Sequence, residues 1–374
     1  MTTTLTAHLT TDTLLMPEAM TKPFAKKAAQ IDAYLDAYAQ ADNFSGSVMI
    51  SYGKEDAIAG AFPWRIARSY SQANREHEVP NKSQTKFRIG SLTKQFTAVS
   101  ILQLQERGLL DIQSPISAYL PDYPQDEKIT LHHLLSHTSG IPEYLNPGIF
   151  PDFLDWMRLP TTLDQLVNRF KSLPLEFSPG ETFKYCNSGY ALLAQIIETV
   201  SQQPYADYLQ VNILDPLSLR NTGHEIPLAV IPHLAQGYLP LDNDIYLQAN
   251  PFDLSIAQGA GGLFSTVEDL AKWNQWLYGR DADQSVLSKT ARAMMLTPAV
   301  QIELEESSDT FYCYGLALDT HLERSRIHHL GGISGFTSAL AYYPKERLTV
   351  VVLSNFEAAA VRQISEGLAS IVFA

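Results

Sequence analysis

Ser91 and Lys94 stand three residues apart in FRIGSLTKQFTA, at the start of an amphipathic run. On a helix that spacing puts both side chains on one face, with Cβ atoms about 5 to 6 Å apart. A serine hydroxyl is a weak nucleophile until a neighbouring base takes its proton, and a lysine desolvated in a cleft can have its pKa lowered enough to be that base. The start of a helix helps, because its dipole disfavours the ammonium and supports negative charge developing on the serine. The same spacing recurs at Ser51/Lys54 and Ser83/Lys86. The first of these pairs runs through Gly53 into a turn and the second precedes the amphipathic pattern, so only Ser91 and Lys94 share a helical face. By itself the pair is equally a capping serine and a solvated lysine.

Two further stretches carry polar groups at telling intervals. In KYCNSGY, Tyr185 and Asn187 are two apart just before a helical pattern, so a phenol and an amide can point the same way from an extended turn. A core tyrosine and an asparagine N-cap read equally well there, and YLN at Tyr144 to Asn146 repeats the spacing. In RIHHLGGISGF, His329 is followed by Gly331, Gly332, Ser334 and Gly335, in the one His-x-Gly of the chain. Glycines in a strand let a ligand approach its edge closely.

The elements that must position these groups follow from periodicity. KKAAQIDAYLDAYAQ predicts a helix, and FSGSVMISYGK a strand ending in a glycine turn. From Ser91 to about Trp276 the pattern is helical, through SLTKQFTAVSILQLQERG, ITLHHLLSH, TTLDQLVNRFKSL, NSGYALLAQIIETVSQ and STVEDLAKWNQWLYG. The last of these has Ser265 and Glu268 at capping-box spacing. Beyond Pro298 alternation returns in YGLALDTH, RIHHL, FTSALAYYP and RLTVVVLSNF, and a closing helix is expected around Glu357 to Ile371. The economical architecture is a sheet built from both chain ends, covered by terminal helices, with a mainly helical region inserted between. The division runs as a polar tail over 1–24, a discontinuous sheet domain over 25–90 and 290–374, and a helical domain over 91–289, with the site at their junction.

Composition narrows the function classes. With 27 basic against 40 acidic side chains and no local cluster of Lys or Arg, nucleic acid is excluded as a partner. Cys186 and Cys313 are too few for a disulfide framework or a thiolate metal site. The N-terminus has neither the basic n-region nor the apolar h-region of a signal peptide, and no run approaches the roughly twenty apolar residues of a membrane span. A soluble, cytoplasmic protein is expected, with its oligomeric state open. No Gly-x-Ser-x-Gly elbow occurs, which removes the alpha/beta-hydrolase reading. In LHHLLSH, His133 and His137 are one turn apart, but Leu134 stands where a zinc-binding HExxH motif needs its glutamate. GAGG at Gly259 to Gly262 lacks the lysine of a phosphate loop and reads as a turn wall beside the cleft.

Taken in order, SLTK, YCN and HLG resemble the three motifs of the serine beta-lactamase and penicillin-binding-protein superfamily. The branch is that of class C beta-lactamases, D-alanyl-D-alanine carboxypeptidases, D-aminopeptidases and related esterases. ANREHEVP, ITLHHLLSHTSGIPEY, FSPGETFKYCNSGYALLAQIIE, GAGGLFSTVEDLAKW and YYPKERLTVVVLSN are similar to the same branch, so the resemblance covers roughly Phe44 to Asn355. It implies the α/β (α+β) fold of that superfamily: an antiparallel sheet from both chain ends, flanked by helices, with the helical insertion. It also implies Ser91 as acylated nucleophile, Lys94 as its proton acceptor and Tyr185 as partner acid or base. Asn187 would bond the substrate amide, and the N–H groups of Ser91 and Gly332 would form an oxyanion hole, worth on the order of 3 kcal/mol per donor.

No cofactor or metal is implied, and the partner is a small-molecule or short-peptide substrate. His329, Leu330 and Gly331 stand where beta-lactamases have Lys-Thr-Gly. Histidine is mostly neutral at pH 7 with a reference pKa of about 6.5, and Leu330 donates no side-chain hydrogen bond. Esters and amides therefore rank ahead of carboxylate-bearing beta-lactams. The alternatives are a true class C-like beta-lactamase and a non-catalytic acyl- or peptide-binding protein on the same scaffold. Cys186 should point away from the cleft.

Overall fold

The computed structural model describes residues 21–53, 64–124, 128–226, 229–242, 245–279, 284–304 and 307–374. The first twenty residues of the expected tail lie outside these, as does Lys54; residues 21–24 already belong to the helix Thr21–Gln40.

LTVVVL is apolar on both alternating faces, with Thr349 the one polar residue, which predicts a strand covered on both sides. Leu348–Ser354 is such a strand, buried along its whole length. Val350 and Val352 join Val48, Ile50, Ile31, Leu35, Ile364 and Leu368 in one core, beneath the helices Thr21–Gln40 and Val361–Phe373. Val351 and Leu353 point the other way, into the larger core shared with the helices Thr93–Glu106, Asn187–Ser201 and Val267–Tyr278. Each such aliphatic side chain contributes roughly 1.5 to 3 kcal/mol when fully buried. Around this strand an eight-stranded antiparallel sheet assembles in the spatial order Val300–Leu304, Ser307–Tyr312, Ala317–His321, Arg324–Ile333, Phe336–Tyr343, Leu348–Ser354, Gly46–Tyr52, Trp64–Tyr70. The sheet is thus made of both chain ends, as expected, with the mainly helical segment connecting them.

Several local expectations change. The run from Thr93 to Leu104 is not amphipathic but buried on every side, Lys94 and Gln103 included. Several of its polar groups are satisfied internally: Trp273 Nε1 donates to Gln95 Oε1 at 2.9 Å, Thr97 Oγ1 donates to Gly259 O at 2.7 Å and Gln103 Nε2 donates to Val286 O at 2.7 Å, while Gln103 Oε1 has no partner. The helix Val267–Tyr278 is capped by Thr266, which accepts from Asp269 N, because Ser265 ends a short strand and its hydroxyl bonds Thr222. Short strands at Phe87–Arg88, Gly223–His224 and Leu263–Ser265, and the hairpin Tyr238–Asp242 with Ile245–Gln248, interrupt the helical middle. Two or three residues cannot display a period of two, so their pairing is decided by tertiary neighbours.

Candidate active site

The chain leaves the strand Phe87–Arg88 and turns through Gly90, whose φ is +50°. A Cβ there would lie 2.8 Å from both N and O of Gly332, so this close crossing admits only glycine. Ser91 sits in the single 3-10 turn Gly90–Leu92 that feeds the helix Thr93–Glu106, and neither element has a side-chain cap. The capping reading of Ser91 therefore fails. Its Oγ instead accepts a hydrogen bond from Lys94 Nζ at 3.0 Å. Lys94 is fully buried and donates also to Asn187 Oδ1 at 2.7 Å and Ala260 O at 2.9 Å, while its Nζ lies 4.8 Å from the Tyr185 ring centroid. Burial pulls its pKa down to about 7, against the opposing pull of Glu143 and Cys186. A large share of Lys94 is a neutral amine at neutral pH, the form that can take a proton from serine.

Asn187 is the first residue of its helix and not the cap, a position held by Cys186 without a side-chain bond. Both ends of its amide are engaged, Oδ1 by Lys94 and Nδ2 by donation to Glu143 Oε2 at 3.2 Å; its backbone N–H also donates to that carboxylate. The resting Asn187 thus orients Lys94 rather than offering a free amide. Tyr185 lies with its ring 4.2 Å from that of His137, and its buried hydroxyl has no hydrogen-bond partner within bonding geometry. Burial raises its pKa, and the nearby Ser91 hydroxyl opposes this only in part, so it is a phenol with a proton to give. Cys186 Sγ contacts Ile141 O at 3.1 Å within the core, and burial pushes its thiol up to about 12; both cysteines are free.

The third stretch lies on the strand Arg324–Ile333. A Cβ at Gly331 would fall 2.1 Å from Ile89 O and 2.3 Å from Ser338 Oγ, the hydroxyl that itself donates to Ile89 O at 2.9 Å. Gly331 clamps the strand against the turn before Ser91. Gly332 is different, since a Cβ there meets nothing within 4 Å and faces open space. His329 is buried, and both its ring nitrogens are used internally, Nε2 with Tyr312 Oη at 3.1 Å and Nδ1 with Leu330 O at 2.6 Å. Burial, reinforced by Lys94, lowers its pKa to about 3. GAGG is no simple turn wall: Gln258–Gly261 is a helical turn whose Ala260 carbonyl holds Lys94.

Three residues of the site were not predicted. Glu143 is the sole acidic residue between Glu127 and Asp152, a faint signal in sequence. Burial raises its carboxyl pKa against the hydrogen bonds from Asn187 and Leu145. His137 was weighed only as a zinc ligand. Instead its Nδ1 accepts from Cys186 N at 3.1 Å, and His133 completes a capping box with Thr130. Among the described residues no group of three or more His, Cys, Asp or Glu is placed to hold a metal ion. Tyr312 gives no signal in sequence. No helix among the described residues is long and apolar enough to cross a membrane.

Comparison with known proteins identifies the family and fold. The sequence model of the family described as Beta-lactamase matches residues 31–369. Penicillin-binding protein 4* of Bacillus subtilis (strain 168) is 29% identical over 346 residues, covering 88% of this chain and 72% of its own. The crystal structure of penicillin binding protein from Bacillus halodurans superposes with a TM-score of 0.77 at 27% identity, over 91% of this chain and 98% of the other. A D-stereospecific amidohydrolase from Streptomyces sp. gives a TM-score of 0.73 at 28% identity, over 90% of this chain and 96% of the other.

Proposed function

Since this chain belongs to the beta-lactamase family, we propose that it is a serine hydrolase that cleaves esters or amides through an acyl-serine intermediate on Ser91. The active site lies where the sheet region (25–90 and 290–374) meets the helical region (91–289). The observation that carries the reading is the buried Lys94 amine 3.0 Å from Ser91 Oγ, with its pKa lowered to about 7.

Neutral Lys94 accepts the Ser91 hydroxyl proton as Oγ forms a bond to the acyl carbon and the carbonyl electron pair moves to oxygen. The N–H groups of Ser91 and Gly332 hold that oxyanion, the open side of Gly332 leaving room for the substrate. Tyr185 gives its phenol proton to the departing nitrogen or oxygen as the carbon–heteroatom bond breaks, and the proton on Lys94 restores the phenol. Water then attacks the acyl-serine with the same pair accepting its proton, and Ser91 is released. Asn187 and Glu143 orient Lys94 throughout.

The substrate class follows from what surrounds the acyl site. His329 is neutral with both ring nitrogens engaged and Leu330 is apolar, so neither supplies a fixed cation for the carboxylate of a beta-lactam. The relative described as a D-stereospecific amidohydrolase favours acyl groups of the D-amino-acid kind, as amides or esters. Beta-lactam hydrolysis is then slow or secondary. Intact-protein mass spectrometry after brief exposure to a p-nitrophenyl ester, a D-alanyl ester, a D-amino-acid amide and a penicillin tests this, with Ser91→Ala in parallel. An adduct or turnover that vanishes in the variant supports the mechanism and ranks the substrates. Turnover fastest on penicillin would favour a true beta-lactamase, and silence with all four a binding protein.

A further inference from the structure

His137 occupies a left-handed backbone conformation, φ +59°, which is strained for a residue with a side chain. Its surroundings hold it there, and three of its contacts converge on Tyr185. Its carbonyl accepts from Lys184 N at 2.9 Å, its Nδ1 accepts from Cys186 N at 3.1 Å, and its ring lies 4.2 Å from the Tyr185 ring at 34°. The residue before Tyr185, the residue after it and the ring itself are thus all held by one side chain and its backbone.

The same contacts fix a direction. A backbone N–H can only donate, so Nδ1 of His137 is bare and Nε2 carries the proton. Nε2 lies 3.1 Å from Tyr312 Oη, which therefore accepts. At the far end a carbonyl can only accept, so His329 Nδ1 carries the proton that goes to Leu330 O, and His329 Nε2 must be bare. It lies 3.1 Å from the same Tyr312 Oη, which therefore donates. Two independent ends demand one polarity, from Cys186 N–H through His137, Tyr312 and His329 to Leu330 O, with opposite tautomers on the two histidines. All three side chains are buried, and the rings of Tyr312 and His329 each stand 6.2 Å from that of Tyr185. The chain surrounds Tyr185 yet leaves its hydroxyl without a partner.

We propose that His137, Tyr312 and His329 are positioning residues for Tyr185, a one-way hydrogen-bond chain that sets the plane of its ring and leaves its phenol proton free for the leaving group. This gives His329 a role other than substrate binding. It rests on the acyl-serine reading in one respect, the identity of Tyr185 as the acid. On this proposal the chain transfers no proton in the reaction.

Two measurements test it. In the wild-type protein labelled with 15N-histidine, ring nitrogen shifts, assigned by difference against His137→Asn and His329→Asn, should show His137 protonated at Nε2 and His329 at Nδ1. The reverse tautomer or a doubly protonated ring at pH 7 overturns the chain whatever the enzyme hydrolyses. Kinetically, Tyr312→Phe keeps the ring but removes the link between the histidines. It should lower kcat about 10- to 100-fold on amides and alkyl esters, whose leaving groups need a proton, with KM unchanged. On a p-nitrophenyl ester, whose leaving group departs unaided, the acylation rate, read from the initial burst of p-nitrophenol, should change less than about twofold. Equal losses on both substrate types, or none, overturn the positioning role. If Ser91→Ala stays active, the acyl-serine reading fails instead, and the nitrogen shifts still decide the chain.

Discussion

Lys94 and Arg326 are both cations taken out of water, on opposite sides of the same sheet region, and the protein treats them in opposite ways. Arg326 is buried with two carboxylates: Asp319 takes Nε at 2.8 Å and Nη2 at 2.6 Å, and Glu366 takes Nη1 at 2.7 Å. Burial works against its charge, but those two partners outweigh it and raise its pKa. Lys94 is met by three neutral oxygens and feels Glu143 only through space, so burial wins and its pKa falls. A buried charge that serves the fold is fully compensated, whereas one that must give up its proton is left short. The shortfall is a stability cost located where the chemistry is.

Replacing each cation with methionine exposes the contrast. Lys94→Met should lower kcat/KM by about 10³-fold or more, since a general base contributes up to about 10⁴, and should raise the melting temperature at pH 7. The sign follows from linkage. The folded pKa, about 7, lies below the unfolded value near 10.4. The unfolded chain therefore binds a proton that the folded one lacks between those limits, and stability rises with pH across that window. An unchanged or lower melting temperature would show that Lys94 is compensated after all. Arg326→Met should do the reverse, destabilising by about 3 to 5 kcal/mol because it strands two carboxylates, while kcat/KM per folded molecule stays put. Chemical denaturation and active-site titration separate the two quantities.

pH sharpens the same difference. Below about 7, kcat/KM should fall tenfold per unit as Lys94 gains its proton, and a flat profile from pH 6 to 9 would sink the Lys94 base. On the other side of the sheet, burial opposes ionisation of Asp319, but hydrogen bonds from Arg326 and His328 hold its carboxyl well below the usual range. Its contribution is present above the unfolded value near 4 and is lost as pH falls through the folded one. Acid should unfold the protein through that cluster, and Asp319→Asn should flatten the acid limb of the melting curve.

The glycines offer a smaller test. Gly331→Ala must displace Ile89 O and should destabilise by about 1 to 3 kcal/mol. Gly332→Ala, pointing into open space, should leave the melting temperature alone and raise KM for bulky acyl groups. Smallest of all, Lys86→Met should change kcat/KM by less than about twofold. Lys86 has the same spacing from Ser83 that Lys94 has from Ser91, yet its amine rests 5.4 Å from the ring of Phe264 instead of against a serine.

That pair shows how far local pattern reaches. Spacing along the chain marks which residues can share a face, and helical periodicity after Gly90 singles out Ser91 and Lys94, whose side chains are hydrogen-bonded at 3.0 Å. The elements were equally legible where they are long: the sheet strands after Ala317, the helices at 93–106 and 187–201, and the two terminal helices all stand within a few residues of their patterns. Where elements are two or three residues long, as in Phe87–Arg88 or Gly223–His224, no period exists to read.

By itself, then, the order of residues determined the family resemblance, the sheet built from both ends, and the choice of Ser91, Lys94 and Tyr185 as candidates. Tertiary structure alone decided what each group is chemically. Lys94 has its pKa lowered because helices close over it, Asn187 is spoken for because Glu143 arrives from 44 residues away, and His329 is engaged because Tyr312 reaches it from two strands away in the sheet. Burial and hydrogen-bond partners set protonation, and both depend on residues distant in sequence, so no local pattern can encode them.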